Sequence, residues 1–353
     1  MKVQRLLGER LSGRRLTEQE ALLLWGSASL HQLGAAAHQA RLCAAPPEIV
    51  TYVVDRNVNY TNVCYARCRF CAFARGEGDP EAYLLSREAV VEKVREATER
   101  GATQILMQGG LNPKVGLKEV AALLSAVKSS FPSVQVHSLS PPEIVHLSRQ
   151  EKRSFAEILS ALREAGLDSL PGGGAEILVD RVRRELSSRK CTAEEWLEVM
   201  RTAHNLGLRT TATMMFGHIE TVEERVRHLA RLRELQDETG GFTAFIPWSY
   251  QSARAPLGGR TAGGYEYLRT LALSRLFLDN FPNLQVSWLT QGLRLGQVAL
   301  FFGANDMGGT VMEEQVVRAA APLASANEQE LRRLITSAGF RPIKRSTLYE
   351  PLE

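Results

Sequence analysis

Apolar and polar positions divide the chain into two regions with different periodicity. In the first region the apolar residues recur at helical spacing: Thr17-x-x-Glu20 has the form of a capping box, and a second amphipathic run covers Ser27–Leu42. Further along, short β-branched apolar runs alternate with helical stretches. The pattern predicts an N-terminal helical extension over residues 1–47, followed by an α/β unit with C-terminal helices over residues 48–353.

Short apolar runs in the second region have the length and composition of buried strands. They are Ile49–Asn57, Gln104–Met107, Val134–Leu139, Asp168–Leu170, Arg209–Phe216, Phe242–Trp248, Leu284–Leu289 and Val298–Phe302. Several of the intervening helical stretches begin at a capping Ser or Thr and end at a glycine. Parallel strands need such crossover helices. Eight units of this kind favour a closed (β/α)8 barrel of the TIM type over an open doubly wound sheet.

Composition narrows the class of protein. Of the 353 residues, 44% are hydrophobic and 23% are charged, which is typical of a globular protein and excludes a disordered or fibrous one. Basic residues number 43 and acidic residues 39, and the two are interspersed, so no nucleic acid and no membrane surface is expected as a partner. The chain has no apolar run long enough for a membrane span and no signal-peptide pattern, which predicts a cytoplasmic protein.

Three of the five cysteines, Cys64, Cys68 and Cys71, lie in one loop after the first predicted strand. Three thiolates at this spacing can bind three irons of a [4Fe–4S] cluster and leave the fourth iron without a protein ligand. Neighbouring arginines are expected to lower the thiol pKa values and to offset the negative charge of the cluster; they are Arg67, Arg69 and Arg75. A zinc site lacking its fourth ligand, a redox Cys-x-x-C pair and chance clustering of buried cysteines are the alternatives.

The cysteine spacing, with Phe70 before the third cysteine, resembles the radical S-adenosylmethionine (SAM) superfamily. The resemblance implies a [4Fe–4S] cluster held by three cysteines, with the amino and carboxylate groups of SAM on the open iron. It also implies an external one-electron reductant of the flavodoxin or ferredoxin type. The electron cleaves SAM to methionine and a 5′-deoxyadenosyl radical. The motif carries no information about the substrate.

Further segments resemble one branch of that superfamily, the radical enzymes of the futalosine route to menaquinone, with the deazaflavin precursor synthases as close relatives. The segments are Val54–Asn62, Met107–Gly110, His137–Ile144, Leu170–Ile177, Thr211–Glu220, Phe245–Tyr250 and Gly303–Thr310. Asp55-Arg56-Asn57 and Trp248 look most like the cyclase of this branch. That likeness implies a small nucleoside-type substrate, abstraction of its ribose C4′ hydrogen and formation of a carbon–carbon bond.

Each of these segments follows or ends a predicted strand, at the end of the barrel where active sites are built. The resemblance puts Phe70, Gln108, Gly109, Gly110 and Glu176 at SAM. Adjacent glycines permit close approach of the backbone to a ligand, but they also suit a plain strand-to-helix turn. An acid in this position also suits the first turn of an exposed helix.

His137, His218 and Asp306 are the candidates for a catalytic base or for substrate binding. His137 is expected at the end of the third strand, His218 after the fifth and Asp306 after the eighth; the alternatives are structural histidines and a plain turn. Two other functions stay open. One is the sibling synthase, in which the radical adds to an enolpyruvyl double bond. The other is a non-catalytic iron–sulfur protein, which usually supplies a fourth cysteine.

Overall fold

The computed structural model describes residues 2–321 and 325–352. Its helices are α1 (Lys2–Leu11), α2 (Glu18–Ser27), α3 (Leu30–Ala44), α4 (Arg87–Glu99), α5 (Leu117–Ser130), α6 (Pro141–Glu151), α7 (Phe155–Glu164), α8 (Asp180–Ser187), α9 (Ala193–Asn205), α10 (Val222–Thr239), α11 (Gly264–Phe277), α12 (Trp288–Gln291), α13 (Leu293–Ala299), α14 (Val316–Ala320) and α15 (Glu328–Ser337). Its strands are β1 (Ile49–Val53), β2 (Asp55–Asn59), β3 (Gln104–Gln108), β4 (Gln135–Ser138), β5 (Ser169–Leu170), β6 (Arg209–Phe216), β7 (Phe242–Ser249), β8 (Asn283–Leu284), β9 (Asp306–Gly309) and β10 (Arg341–Lys344). Among the described helices, none combines the length and the apolar character that a membrane span requires.

Helices α1 to α3 form the predicted N-terminal run and pack on the outside of the α/β unit. The capping box at the start of α2 is present: Glu20 N donates to Thr17 Oγ1, and Thr17 N donates to Glu20 Oε2. Arg269 of α11 donates to the carbonyls of Leu24 and Ala28 at the end of α2. A buried guanidinium therefore ties the extension to the barrel.

Strands β2 to β8 form one seven-stranded sheet in sequence order, and every neighbouring pair is parallel. Strand β9 closes the ring because Gln285, just after β8, forms a bridge with Asp306, and Asp306 in turn pairs with Thr51 of β1. Helices cover the outer face of the sheet. The predicted barrel of alternating strands and helices is confirmed.

Three of the predicted strands differ from the observed ones. The run Leu284–Leu289 is mostly not a strand, because β8 ends at Leu284 and α12 begins at Trp288. The run Ile49–Asn57 forms two strands, because the chain leaves the β10–β1–β9 sheet at Val54 and enters the main sheet with β2. The predicted strand Val298–Phe302 is wrong, because α13 occupies Leu293–Ala299 and a turn follows it. Gly296, Ala299 and Leu300 are buried at helical spacing, which a short apolar run does not reveal.

The C-terminal segment closes the amino-terminal end of the barrel. After β10, which runs parallel to β1, Thr347 donates from its backbone N to Gln135 Oε1 and from its Oγ1 to Gln104 Oε1. Gln104 and Gln135 are the first residues of β3 and β4. The chain after Lys344 therefore crosses the floor of the barrel, a feature that the strand and helix pattern did not predict.

Candidate active site

A cavity of about 420 Å³ occupies the barrel interior. Cys64, Cys68 and Cys71 line it at the carboxyl end of the strands, while Arg345 and Thr347 line it at the floor. Barrel-facing side chains of β2, β3, β4, β6 and β7 form the wall between these ends. The cavity has the size and position of a small-molecule site in an α/β barrel.

The structure brings the three predicted cysteine ligands to one wall of this cavity. Cys68 is buried and the other two are half-buried. In the described ranges no three His, Cys, Asp or Glu side chains converge closely enough to hold a single metal ion. A cubane cluster spreads its ligands over several irons, so three separated thiols on one cavity wall are a donor set that fits it.

The expected effect of the loop arginines on the cysteines is wrong. Burial raises the pKa of Cys68 to about 12 and also raises that of Cys71, and the cation that opposes burial is Lys190. The side chain of Arg69 is exposed, 3.7 Å from Glu185, so its charge is directed to solvent. An uncharged thiol is the favoured state of these buried groups until a metal replaces the proton.

Glu176 is a buried carboxylate on the same wall. Lys190 Nζ donates to its Oε1 at 2.8 Å, whereas its Oε2, 3.7 Å from Arg183 Nη1, has no hydrogen-bond partner within the described chain. Its backbone is left-handed, with φ of 41°, which is unfavourable for a residue with a Cβ. A strained, buried carboxylate with one open oxygen is suited to accept a hydrogen bond from a ligand ammonium or hydroxyl group.

Lys190 is a site residue that the sequence analysis missed. It lines the cavity, and its Nζ lies 5.2 Å from the centre of the Phe70 ring. The structure thereby connects Phe70, the cysteines and Glu176 through one cation. Lys190 follows helix α8 and carries no motif, so only the packing of that segment against the cysteine loop identifies it.

The two glycines after β3 line the cavity and also allow two segments of the chain to approach closely. A Cβ on Gly109 would lie 2.5 Å from the Tyr60 ring, and one on Gly110 would lie 2.2 Å from the Val63 carbonyl oxygen. Gly110 N donates to Thr61 O. The close neighbour is therefore the cysteine loop itself. Both N–H groups are occupied, and Gly110 O already accepts a hydrogen bond from Asn112 N, so a ligand can use only the Gly109 carbonyl or the second lone pair of Gly110 O.

Glu143 holds this stretch and also lines the cavity. Its Oε1 accepts hydrogen bonds from Gly109 N and Tyr60 Oη, both at 3.0 Å, and its Oε2 accepts one from Ser140 Oγ. Burial raises its pKa to about 7. Gln108 lies beside it on the cavity wall and donates to Leu139 O. Glu143 lies in the segment His137–Ile144, which carries part of the family resemblance, but the sequence alone did not indicate its carboxylate as a site residue.

Of the three proposed catalytic residues, only His137 lines the cavity. It is in β4, the third strand of the main sheet, as expected, and its Nδ1 is 2.6 Å from Ser169 Oγ. Burial lowers its pKa to about 3, so the ring is neutral. A neutral imidazole in this position is a hydrogen-bonding group for a ligand.

His218 follows β6 as expected, but it is not part of the cavity lining. Its ring is fully buried in its own loop, where Nε2 faces Met215 O at 3.0 Å and Nδ1 accepts from Ile219 N. Glu220 lies 2.9 Å from the same Nδ1. These contacts describe a structural histidine.

Asp306 does not follow the last strand of the barrel, so the predicted placement is wrong. It is the first residue of β9, and its carboxylate is completely buried against Arg345, whose Nε and Nη2 both donate to it. Thr51 Oγ1 donates to it as well. Each oxygen therefore already has a strong partner, which is the environment of a structural ion pair below the cavity.

Two family models match the chain. Residues 58–232 match the model described as radical SAM superfamily, and residues 239–353 match the model described as CofH/MqnC C-terminal region. Two solved structures share the fold: the FeFe-hydrogenase maturase from Carboxydothermus hydrogenoformans and a methylornithine synthase. The maturase has a TM-score of 0.79 at 16% identity, and the alignment covers 98% of this chain and 80% of the maturase. The methylornithine synthase has a TM-score of 0.73 at 17% identity, and the alignment covers 96% of this chain and 97% of the synthase.

Curated relatives match over nearly their whole length. The chain is 43% identical to cyclic dehypoxanthine futalosine synthase of Halalkalibacterium halodurans over 99% of this chain and 95% of the relative. It is 42% identical to the enzyme of that name from Streptomyces coelicolor, over 99% of this chain and 89% of the relative. It is also 42% identical to aminodeoxyfutalosine synthase of Thermus thermophilus, over 96% of this chain and 93% of the relative.

Proposed function

Because the chain belongs to the radical SAM superfamily, and within it to the group with a CofH/MqnC C-terminal region, we propose that it converts dehypoxanthine futalosine to cyclic dehypoxanthine futalosine in the futalosine route to menaquinone. The observation that carries the proposal is the match to two relatives of that name over 99% of this chain. The product differs by a new bond between ribose C4′ and the aromatic ring. The cavity below the cysteines has a mostly apolar lining with a few polar side chains, among them Asn57, His137 and Thr213, and so supports a substrate that carries both an aromatic ring and hydroxyl groups.

Cys64, Cys68 and Cys71 would hold a [4Fe–4S] cluster at the mouth of the barrel, with an iron left for SAM. When bound and reduced by a flavodoxin- or ferredoxin-type donor, the cluster supplies the electron that releases a 5′-deoxyadenosyl radical from SAM. Glu176 presents its open Oε2 on the same wall, where a carboxylate can accept from the SAM ammonium or ribose. Phe70, Gln108 and the carbonyls of Gly109 and Gly110 complete this side.

The protein's own contribution is enclosure and orientation. The floor closed by the C-terminal segment and the walls of the barrel exclude bulk water, which a carbon radical requires if it is to react within the substrate. His137 lines the cavity and its pKa is lowered to about 3, so the neutral ring can bind a substrate group as a hydrogen-bond donor or acceptor, while this low pKa disfavours it as the base. The substrate is thereby held with C4′ against SAM.

Aminodeoxyfutalosine synthase activity is the second candidate, because the identity to the Thermus thermophilus relative is 42%. The two reactions place different demands on the cavity. The cyclase must hold a ribose that carries an aromatic side chain and has lost its purine base, while the synthase must hold an enolpyruvyl ether that accepts the radical. The chain is similarly identical to relatives with each activity, so the two activities are distinguished by which substrate the protein converts.

A substrate comparison tests the proposal. The protein is purified and reconstituted anaerobically, reduced, and incubated with SAM and either dehypoxanthine futalosine or the enolpyruvyl ether. The expected result is 5′-deoxyadenosine and a cyclised product with the nucleoside alone, both absent in a Cys68→Ala variant. Turnover of the enolpyruvyl ether alone would contradict the proposed function.

A further inference from the structure

Strand β2 presents a row of polar side chains to the cavity. Asp55, Asn57 and Asn59 alternate along the strand, and all three line the cavity while remaining 5%, 7% and 6% exposed. Alternate residues of a strand face one side, so the row extends for roughly 13 Å at about 3.3 Å per residue. It descends from the cysteine end toward the floor. We refer to these three side chains as the β2 ladder.

The hydrogen bonds of the two asparagines fix the orientation of their amides. Asn57 Nδ2 donates to Glu314 Oε2, and Asn59 Nδ2 donates to the carbonyl oxygen of Gln108 at 3.4 Å. Each partner is an acceptor, so each NH2 group must face it and each amide oxygen must face away. Both Oδ1 atoms are buried, and neither has a hydrogen-bond partner in residues 2–321 and 325–352.

An unsatisfied buried acceptor is costly, by about 1–3 kcal/mol each, so two in one row call for donors from outside the chain. The carboxylate of Asp55 adds a third acceptor group at the foot of the row; its Oδ1 accepts from Val311 N and its Oδ2 accepts from Gln104 Nε2 at 3.5 Å. Gly309 makes room for it, because a Cβ there would lie 2.2 Å from Asp55 Oδ1. A row of acceptors on one strand matches a ligand with several hydroxyl donors.

We propose that Asn57 and Asn59 bind ribose hydroxyl groups of the nucleoside substrate, with their Oδ1 atoms as acceptors. The identity of that nucleoside rests on the proposed function. SAM also carries a ribose, but it is held at the cysteine end, whereas Asn57 lies below Asn59 and contacts Glu314. The ladder therefore aligns the sugar of the substrate along β2.

The test measures dissociation constants with the reconstituted holoenzyme, under anaerobic conditions and without reductant. The ligands are dehypoxanthine futalosine, its 2′-deoxy and 3′-deoxy analogues, and SAM. Wild-type protein should bind the parent about tenfold more tightly than at least one analogue, since one neutral hydrogen bond is lost. Asn57→Leu and Asn59→Leu should each reduce to about onefold the preference over the analogue that lacks the hydroxyl bound by that asparagine, while Asn57→Leu leaves the SAM constant unchanged.

Thr213→Val is the matched control. Its hydroxyl also lies on the cavity wall but already donates to Gly172 O at 2.6 Å, so the preference for the parent should persist. The proposal is overturned if wild-type protein binds both analogues as tightly as the parent, a result that needs no variant to fold. It is also overturned if either leucine variant weakens parent and analogues equally, or if SAM alone is affected. Failure of the proposed function is distinct, because wild-type protein would then not bind the parent at all.

Discussion

Glu143 and Glu176 are both buried on the cavity wall, but they have different partners. Glu176 lies against the Lys190 ammonium, whereas the hydrogen-bond donors of Glu143 are all neutral. Burial without a directly bonded cation raises the pKa of Glu143 to about 7. Because this carboxyl anchors Gly109 beneath the cysteine loop, its ionisation bears on the stability of the folded site.

Glu143→Gln should make the stability of the protein less dependent on pH. The folded protein holds a proton on this carboxyl up to about pH 7, while the unfolded chain releases it near 4.5, so its stabilising contribution is complete below pH 4.5 and is lost as the pH rises through 7. Glutamine keeps the shape and cannot ionise. Between about pH 5 and pH 8 the variant should lose roughly 3 kcal/mol less stability than wild type, on the order of the pKa shift. Chemical unfolding of both proteins across this pH range measures the difference. If the unfolding free energies of variant and wild type change with pH in parallel, the raised pKa of Glu143 is contradicted.

At the scale of elements, the cysteine loop is positioned by its contact with the end of β3. Gly110 N donates to Thr61 O, and the missing side chain of Gly110 allows the Val63 carbonyl and Cys64 to approach. This stretch, which the family resemblance places at SAM, is also where two segments of the chain meet. The position of the three thiols therefore depends on a packing contact outside the cysteine motif.

Gly110→Ala should displace the cysteine loop while leaving the barrel folded. The added Cβ would lie 2.2 Å from a backbone oxygen, which no side-chain rotation relieves. We expect the iron and sulfide content after reconstitution to fall several-fold, with an unchanged far-ultraviolet circular dichroism spectrum. Gly78→Ala is the matched control, since its Cβ would meet open space. Full cluster content in Gly110→Ala would show that the loop does not depend on this contact.

At the scale of the whole molecule, the last described residues complete the barrel. Arg345 joins the C-terminal segment to Asp306 of β9 by a buried pair, and Thr347 joins it to β3 and β4. Residues more than two hundred positions apart thus form one floor. The enclosure that a radical reaction needs is a property of the complete chain and not of the cysteine-bearing part.

Arg345→Met should strongly destabilise the protein, by about 3–5 kcal/mol, because it leaves the Asp306 carboxylate buried without its cation. Adding Asp306→Leu should recover a substantial part of this loss, since both charges are then removed. Arg95→Met, which breaks an exposed pair with Glu92, should change stability by less than about 1 kcal/mol. Denaturant unfolding of five proteins provides the comparison: wild type, Arg345→Met, Asp306→Leu, the double variant and Arg95→Met. Strictly additive effects of the two floor substitutions would argue against a coupled pair.

Local patterns were sufficient where one segment carries the whole signal. The capping box at Thr17, strand β6 and the cluster of three cysteines depend on residues close in sequence, and each was predicted with the correct location. The run Val298–Phe302 was misassigned because a short apolar segment has no distinct period. Asp306 was misplaced with it, because its expected position was counted from that strand.

The sequence by itself determined the barrel, the cysteine motif and the family, because periodicity and motif spacing are properties of consecutive residues. Only the tertiary structure decided which polar groups share the cavity. Lys190, Glu143 and the β2 ladder join the site through contacts between distant segments, while His218 and Asp306 are removed from it by partners of their own. Whether a side chain faces a ligand depends on strand register and on the loops packed behind it, and these are fixed when the ring closes.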